Sequence, residues 1–288
     1  MTALVLLHEV LDTTLPLELV DGQGVRLKGA PAVRILNRAD RAALEWACRL
    51  CPADVTALTL APPETDAILH FARARGARRA VRVWAPGVER LDAAATTRLL
   101  ARAVERLHPD LVFTGDRSLP GWTGLVPGML AARLGWPCLE EAVGLTLESG
   151  VVIARRRLER GWQEEIEAPP PTVIAVEAGS IEPRYISARG RREARAHPVE
   201  VWGLQQLGVS LVEALAWVRS EVASLDWPRP RPRKVALPSA GLSAAERMRR
   251  LMGGGAAPKQ APEGKLVEGD PGQIADRLVQ FLAERGFV

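Results

Sequence analysis

The groups in this sequence best placed to do chemistry are backbone amides rather than reactive side chains. Leu111, Val112, Phe113 and Thr114 form a continuous apolar run, the pattern of a strand buried on both faces. Gly115 follows, then a turn-rich loop, and Thr123 with Gly124 opens a helical pattern in which Val126, Met129, Leu130 and Leu134 share one face. The first amides of a helix have no partner within it and carry partial positive charge. A glycine-containing loop between a strand end and a helix start is therefore suited to phosphate. The loop has neither a lysine nor P-loop spacing, and the alternative is an ordinary crossover turn. Cys48 and Cys51 make a lone CxxC. A metal site wants a second pair, and a thioredoxin-like motif sits just after a strand, whereas Cys48 falls inside a helical run over 40–50. Neither a metal site nor the catalytic residues of a substrate-transforming enzyme are expected.

An amide cradle needs a rigid sheet behind it, and the chain supplies the elements in the right order. Residues 3–7 read as a first strand, and Asn37 or Asp40 is suited to cap the helix whose apolar face carries Leu44, Ala47 and Cys48. Strands are expected over 55–60 and 79–83, with helices over 64–75, stopped by Gly76, and over 92–107. Such alternation predicts a parallel sheet with right-handed crossovers, with ligands beyond the carboxyl ends of the strands. That edge includes His8, Glu9, Ala61 and the loop 115–124. Past Trp136 the rhythm changes: 143–147, 151–158 and 163–167 read as an antiparallel meander, and 172–176 as one more buried strand. Arginines then crowd 184–195, either as a solvated face or as a docking loop.

A length of 288 residues fits one large α/β domain, or one domain with an appendage. The composition, 47% hydrophobic and 25% charged, is that of a globular chain, and a formal charge of +4 gives no basic face for nucleic acid, because the arginines mostly alternate with acids and alanines. The start, MTALVLLHEVLD, has no basic leader, no run approaches membrane length, and three cysteines do not make a secreted disulfide framework. A cytoplasmic protein without membrane insertion is expected. After Val209 the chain reads as an arm. PRPRPRK from Pro228 is stiff and extended, and a short helix starts at Ser243. A last helix follows, with Asp270 as cap, Pro271 at its first position and an apolar stripe of Ile274, Leu278, Phe281 and Leu282. That stripe must be buried, either on the chain's own core or on a partner.

The whole pattern resembles the beta (small) subunit of the electron-transfer flavoproteins. The resemblance is carried by LVLLHEVLD at the start, LNRADRAALEWA from Leu36, TLAPPE from Thr59, HPDLVFTG from His108, GLVPGMLAARLGWP from Gly124, RRRLERGWQEEIEAPPPTVIAV from Arg155 and EPRY at Glu182. It covers residues 3–209 and implies a three-layer α/β/α Rossmann-like fold of the adenine nucleotide alpha hydrolase type. The hairpin addition and a C-terminal arm complete it, with the core over 1–209 and the arm over 210–288. It also implies an electron carrier rather than an enzyme: an alpha subunit carries FAD, and the small subunit packs against it and holds AMP or, in electron-bifurcating members, a second FAD. Electrons arrive from dehydrogenases and leave to a quinone-linked acceptor of the respiratory chain. Carried onto this sequence, the nucleotide residues are Leu6, His8, Asn37, Ala61, Gly115, Ser118, Thr123 and Gly124. Thr13 and Ala39 take flavin-proximal positions, and Arg184, Tyr185, Ala188 and Arg189 the partner-docking ones. The alternative is a nucleotide-binding or structural relative that has lost electron transfer. Without its partner the chain is expected to self-associate through the last helix.

Overall fold

The computed structural model describes residues 1–15, 17–20, 24–27, 33–117, 123–220, 243, 245 and 269–285. Its centre is the parallel sheet that the sequence predicts. β1 (Ala3–Leu7) lies between β6 (Val55–Leu60) and β8 (Leu111–Gly115), with Ala3 beside both Val55 and Leu111. β7 (Arg79–Val83) follows β6, and β12 (Thr172–Val176) follows β8. These strands carry no visible alternation because both faces are buried. Along β1, Ala3, Val5 and Leu7 enter one core and Leu4 and Leu6 the other.

The first core is closed by α1 (Arg38–Leu50) and α2 (Asp66–Ala74), through residues such as Leu44, Ala47 and Leu69. The second is closed by α3 (Ala93–Leu107) and α4 (Leu125–Leu134), through Leu99, Val104 and Leu130. Each fully buried Leu or Phe contributes about 1.5–3 kcal/mol, so a one-residue slip of a central strand would exchange the two cores at prohibitive cost. The three-layer α/β/α arrangement is thus fixed by apolar side chains on both sides of one sheet.

Four features depart from the expected pattern. Between β1 and α1 the chain forms two small antiparallel pairs, β2 (Glu9–Leu11) with β5 (Arg34–Leu36), and β3 (Leu17–Val20) with β4 (Gly24–Leu27). The meander is β9 (Cys138–Glu148), β10 (Val151–Arg157) and β11 (Gln163–Ala168), but β9 begins earlier than its hydrophobic core suggests. Its first residues pair in parallel with β12, Leu139 opposite Ile174, so the hairpin joins the main sheet and does not form a separate layer. The arginine-rich stretch is not a loop throughout: α5 (Ala188–Ala196) is a helix capped by Ser187, whose Oγ accepts from Gly190 N at 3.0 Å, and it packs on α2. A three-residue strand, β13 (Glu200–Trp202), adds the far edge beside β7.

The chain divides into two compact units, Met1–Trp227 and Pro228–Val288. The first also holds α6 (Leu211–Ala216). In the second, α7 (Pro271–Glu284) starts as its sequence predicts, with Pro271 at the first position and Asp270 Oδ2 accepting from Gly272 N at 3.0 Å. None of its residues is buried, and Leu278 is 56% exposed. The short helix expected from Ser243 lies outside the described residues apart from Ser243 and Ala245. Among the described residues no helix is long and apolar enough to cross a membrane.

Candidate functional site

β1 and β8 are neighbours in the sheet, yet the helix after β1 covers one face and the helix after β8 covers the other. Where connections part in this way a crevice opens at the carboxyl ends of the strands. The structure has a cavity of about 660 Å³ there, within the range of small-molecule sites, roughly 300–1,000 Å³.

Several elements wall the cavity. Leu6 and His8 come from β1 and its end, Leu60 and Ala61 from the end of β6, and Trp84 from the residue after β7. Thr114 and Gly115 close β8, and Asp116, Arg117, Thr123 and Gly124 belong to the loop that follows. Gly124 holds the N-cap position of α4 with φ +58, a left-handed conformation that glycine takes without strain, and no side chain caps the helix. The amides of Leu125 and Val126 therefore open a helix N-terminus into the cavity wall, while Pro127 has no amide to satisfy. The exposed Thr123 hydroxyl stands beside them.

Of the nucleotide residues expected from the sequence, Leu6, His8, Asn37, Ala61, Gly115, Thr123 and Gly124 line this one cavity. Ser118 lies outside the described residues. The flavin-proximal pair is not brought there: Thr13 is exposed in a turn after β2, and Ala39 is buried beneath Gly115. Ala39 is therefore a packing residue that nothing outside the chain can touch.

The docking residues separate into held and free ones. Glu45, almost fully buried in α1, accepts from Arg184 N at 3.1 Å and from Arg184 Nε at 3.0 Å. Arg184, its side chain still 42% exposed, is therefore tied to α1 and fixes its segment. Arg189 pairs with Glu193 at 2.6 Å on the surface of α5. Tyr185, 87% exposed, and Ala188 remain open to solvent.

The electrostatics of the cavity turn on buried acids. Burial pushes the Asp40 carboxyl up to about 7, and nearby Asp116 adds to this. Hydrogen bonds from His8 N, Asn37 and Gly115 N only partly oppose it. Asp116 is also raised, first by its own burial and then by Glu177 and Glu141, against the opposing pull of Arg117. Arg117 is shared between Asp116 at 3.5 Å and Glu141 at 2.8 Å. Desolvation in the cleft, then the charge of Arg34, lowers the His8 pKa, so its ring is uncharged at neutral pH. On the far wall, Asp92 caps α3 by accepting from Ala95 N at 2.8 Å and also from Arg219 N and Ser220 N at 2.8 Å each. These bonds outweigh desolvation and bring its carboxyl down to about 2.

Asp40 and Asn37 do not act as the expected caps. Asn37 holds the N-cap position of α1, but neither side chain closes the helix. Asn37 Nδ2 donates instead to Arg117 O at 2.9 Å, which holds Arg117 in place after β8. The wall residues Trp84 and Asp92 also went unread as site residues, and the only signal for them was their place at the carboxyl edge of the sheet.

Cys48 and Cys51 are buried, and burial lifts the Cys48 thiol to about 11, far from a reactive thiolate. Among the described residues no cluster of His, Cys, Asp or Glu is arranged to hold a metal.

With this geometry established, comparison with known proteins gives a consistent picture. Residues 31–207 match the model of the electron transfer flavoprotein domain. The chain is 32% identical over 182 residues to the electron transfer flavoprotein subunit beta of Methylophilus methylotrophus, covering 61% of this chain and 69% of that one. It is 30% identical over 236 residues to the subunit of the same name from Mycobacterium leprae (strain TN), covering 78% and 88%. It is 27% identical over 187 residues to the acryloyl-CoA reductase electron transfer subunit gamma of Anaerotignum propionicum, covering 63% and 70%.

Proposed function

The chain belongs to the electron transfer flavoprotein family, on its beta (small) subunit side, and from that premise we propose that it holds AMP in the switch-point cavity and supports the FAD of an alpha subunit. The observation that carries the reading is the cavity itself. Seven of the residues assigned to the nucleotide converge on it, and an uncapped helix N-terminus with Thr123 offers an anion two backbone amides and a hydroxyl. The base and ribose would lie along the apolar wall of Leu6, Leu60 and Val126, with Asn37 and His8 as polar neighbours. The protein's own contribution is positioning and electrostatics; the redox chemistry belongs to the flavin.

In this reading the chain is a carrier subunit that relays electrons from dehydrogenases toward the respiratory chain. Tyr185 and Ala188 face the redox partner, on a segment that Glu45 holds in place, and the arm 210–288 clasps the alpha subunit. The similarity to a reductase's electron transfer subunit favours a second choice of partner, an acyl-CoA reductase that takes the electrons.

Co-expression with an alpha subunit tests the proposal. A yellow heterodimer that releases AMP on denaturation is the expected outcome. A colourless monomer without nucleotide would refute it, and a yellow heterodimer with an empty cavity would remove AMP alone.

A further inference from the structure

A buried acid at the third position of a helix ordinarily turns back on its own N-terminus. Asp40 does not. The amide it would serve, Asn37 N, is already donated to His8 O at 2.9 Å. Its carboxylate spans the ends of two strands instead. Oδ2 accepts from His8 N at 2.7 Å, and Oδ1 accepts from Gly115 N at 2.9 Å and from Asn37 Nδ2 at 3.1 Å. Asp40 is 4% exposed and forms no ion pair among the described residues. Nor is there slack around it: a Cβ on Gly115 would stand 2.4 Å from Asp40 Oδ1 and 2.6 Å from Ala39 Cβ. The first turn of α1 is therefore seated directly on the end of β8, with the carboxylate bridging to β1.

We propose that Asp40 is the positioning residue of this cleft: it sets the separation of the ends of β1 and β8 and, through Asn37, the place of Arg117 just after β8. The identity of the occupant rests on the nucleotide reading above; the staple itself does not. Burying an unpaired carboxylate costs stability, and a hydrophobic residue would serve a helix start better unless the two amides have to be held. Oδ1 already has two N–H donors and Oδ2 one, so a neutral acid would hold the two strand-end amides less strongly than the carboxylate does. The charged or titratable groups around Asp40 are His8 at the end of β1, with Arg34 and Glu9 beyond it, and Asp116 and Arg117 at the end of β8. Arg38 and Arg41 flank it on α1 and are exposed. Burial and then Asp116 raise the carboxyl to about 7, so the assembled cleft binds the Asp40 proton more tightly than an opened one would, and Asp40 titrates near neutrality.

The test uses the full chain, with AMP as the probe and amide hydrogen exchange as a second readout that needs no ligand. In Asp40→Asn, AMP should bind roughly 10–100-fold more weakly at about pH 8, the loss expected for one or more hydrogen bonds to a charged group, while the protein stays folded. The pH dependence of affinity between about pH 8 and about pH 6 should differ between the wild type and Asp40→Asn, since only the wild type titrates this carboxyl there and the ionisation of the phosphate near pH 6 is common to both. His8 and Gly115 amides should exchange faster in the variant than in the wild type. Equal affinity and equal pH profiles in the two proteins would overturn the proposal. If AMP gives no heat with the wild type, the nucleotide reading fails and exchange decides the staple: unchanged protection of His8 and Gly115 overturns it. Should the variant not fold, wild-type His8 and Gly115 amides that exchange as fast as surface amides overturn the staple as well.

Discussion

Gly115→Ala measures how tightly the site is assembled. The added Cβ would lie 2.4 Å from Asp40 Oδ1, 2.6 Å from Ala39 Cβ and 3.0 Å from Asp40 N. None of these is the free end of a flexible side chain: the carboxylate is held by His8 and Asn37, and the other two atoms belong to the first turn of α1. Relief requires that turn to move away from the end of β8. Overpacking of this kind costs about 1–3 kcal/mol, and loss of the Gly115 hydrogen bond to a carboxylate costs about 1.5–3 kcal/mol. The two share an atom and do not add fully, so a loss of about 3 kcal/mol is expected. In the unit Met1–Trp227, each kcal/mol shifts Tm by roughly 2–4 °C, which gives a drop of roughly 6–12 °C in thermal unfolding followed by circular dichroism. Gly135→Ala is the control, because Gly135 has φ +69 but no atom within 4 Å of the added carbon. That variant carries only the left-handed backbone penalty of about 1 kcal/mol. A Gly115→Ala protein that melts no lower than the Gly135→Ala control would refute the packing argument.

Thr123→Val should weaken AMP binding by about 1–2 kcal/mol, the scale of one hydrogen bond to a charged group, in titration calorimetry; an unchanged affinity would remove Thr123 from the phosphate site. Glu45→Ala leaves Arg75, 7% exposed, without its carboxylate at 3.6 Å and should destabilise by about 3 kcal/mol in urea unfolding at neutral pH. Burial alone would raise the Glu45 pKa, but hydrogen bonds from Arg184 N, Arg49 and the Arg184 side chain outweigh it and lower the pKa. Its contribution is therefore present above the ordinary 4.5 and lost on acidification, and the gap between wild type and Glu45→Gln should narrow below that pH. Deleting residues 228–288 should leave the melting of the first unit nearly unchanged and dissociate the complex with the alpha subunit in sedimentation. A large loss of stability with the complex intact would show that the arm serves its own chain.

What the sequence makes legible follows the length over which a physical signal extends. β1, β6, β8 and β12 stand out because a strand buried on both faces is apolar throughout, and the helices between them have caps and glycine stops within a few residues. β2 with β5 and β13 are each three residues long, too short for any period, and they exist because a distant strand offers them hydrogen bonds. The start of β9 is hidden by Glu140 and Glu141, the latter at φ +55 where the register against β12 shifts. In α5 only Ala194 is buried, so its arginines show no apolar stripe and resemble a loop. The cavity residues converge as expected because the carboxyl-edge rule concerns topology, which the order of elements specifies. Asp40 escaped because its sequence position, three residues after Asn37, mimics a capping pattern, while its partners His8 and Gly115 lie 32 and 75 residues away.

The same helix supplies the remaining link between cleft and surface. The first turn of α1 is locked to the strand ends through Asp40, and its middle is locked to the segment after β12, where Glu45 holds Arg184 and Trp46 Nε1 donates to Ser180 Oγ at 3.1 Å. A helix of thirteen residues is stiff on this scale, and its apolar face is buried against β1 and β8 between the two anchors. The switch-point cleft and the segment presenting Tyr185 therefore share one frame of reference. This accounts for two costly features on one element, a carboxylate buried without a cation and a second carboxylate buried among arginines. Each exchanges local stability for a fixed position, one at the cleft and one at the surface that carries Tyr185. A carrier that must hold a cofactor and a partner at a set distance requires that both positions be defined by the same rigid body.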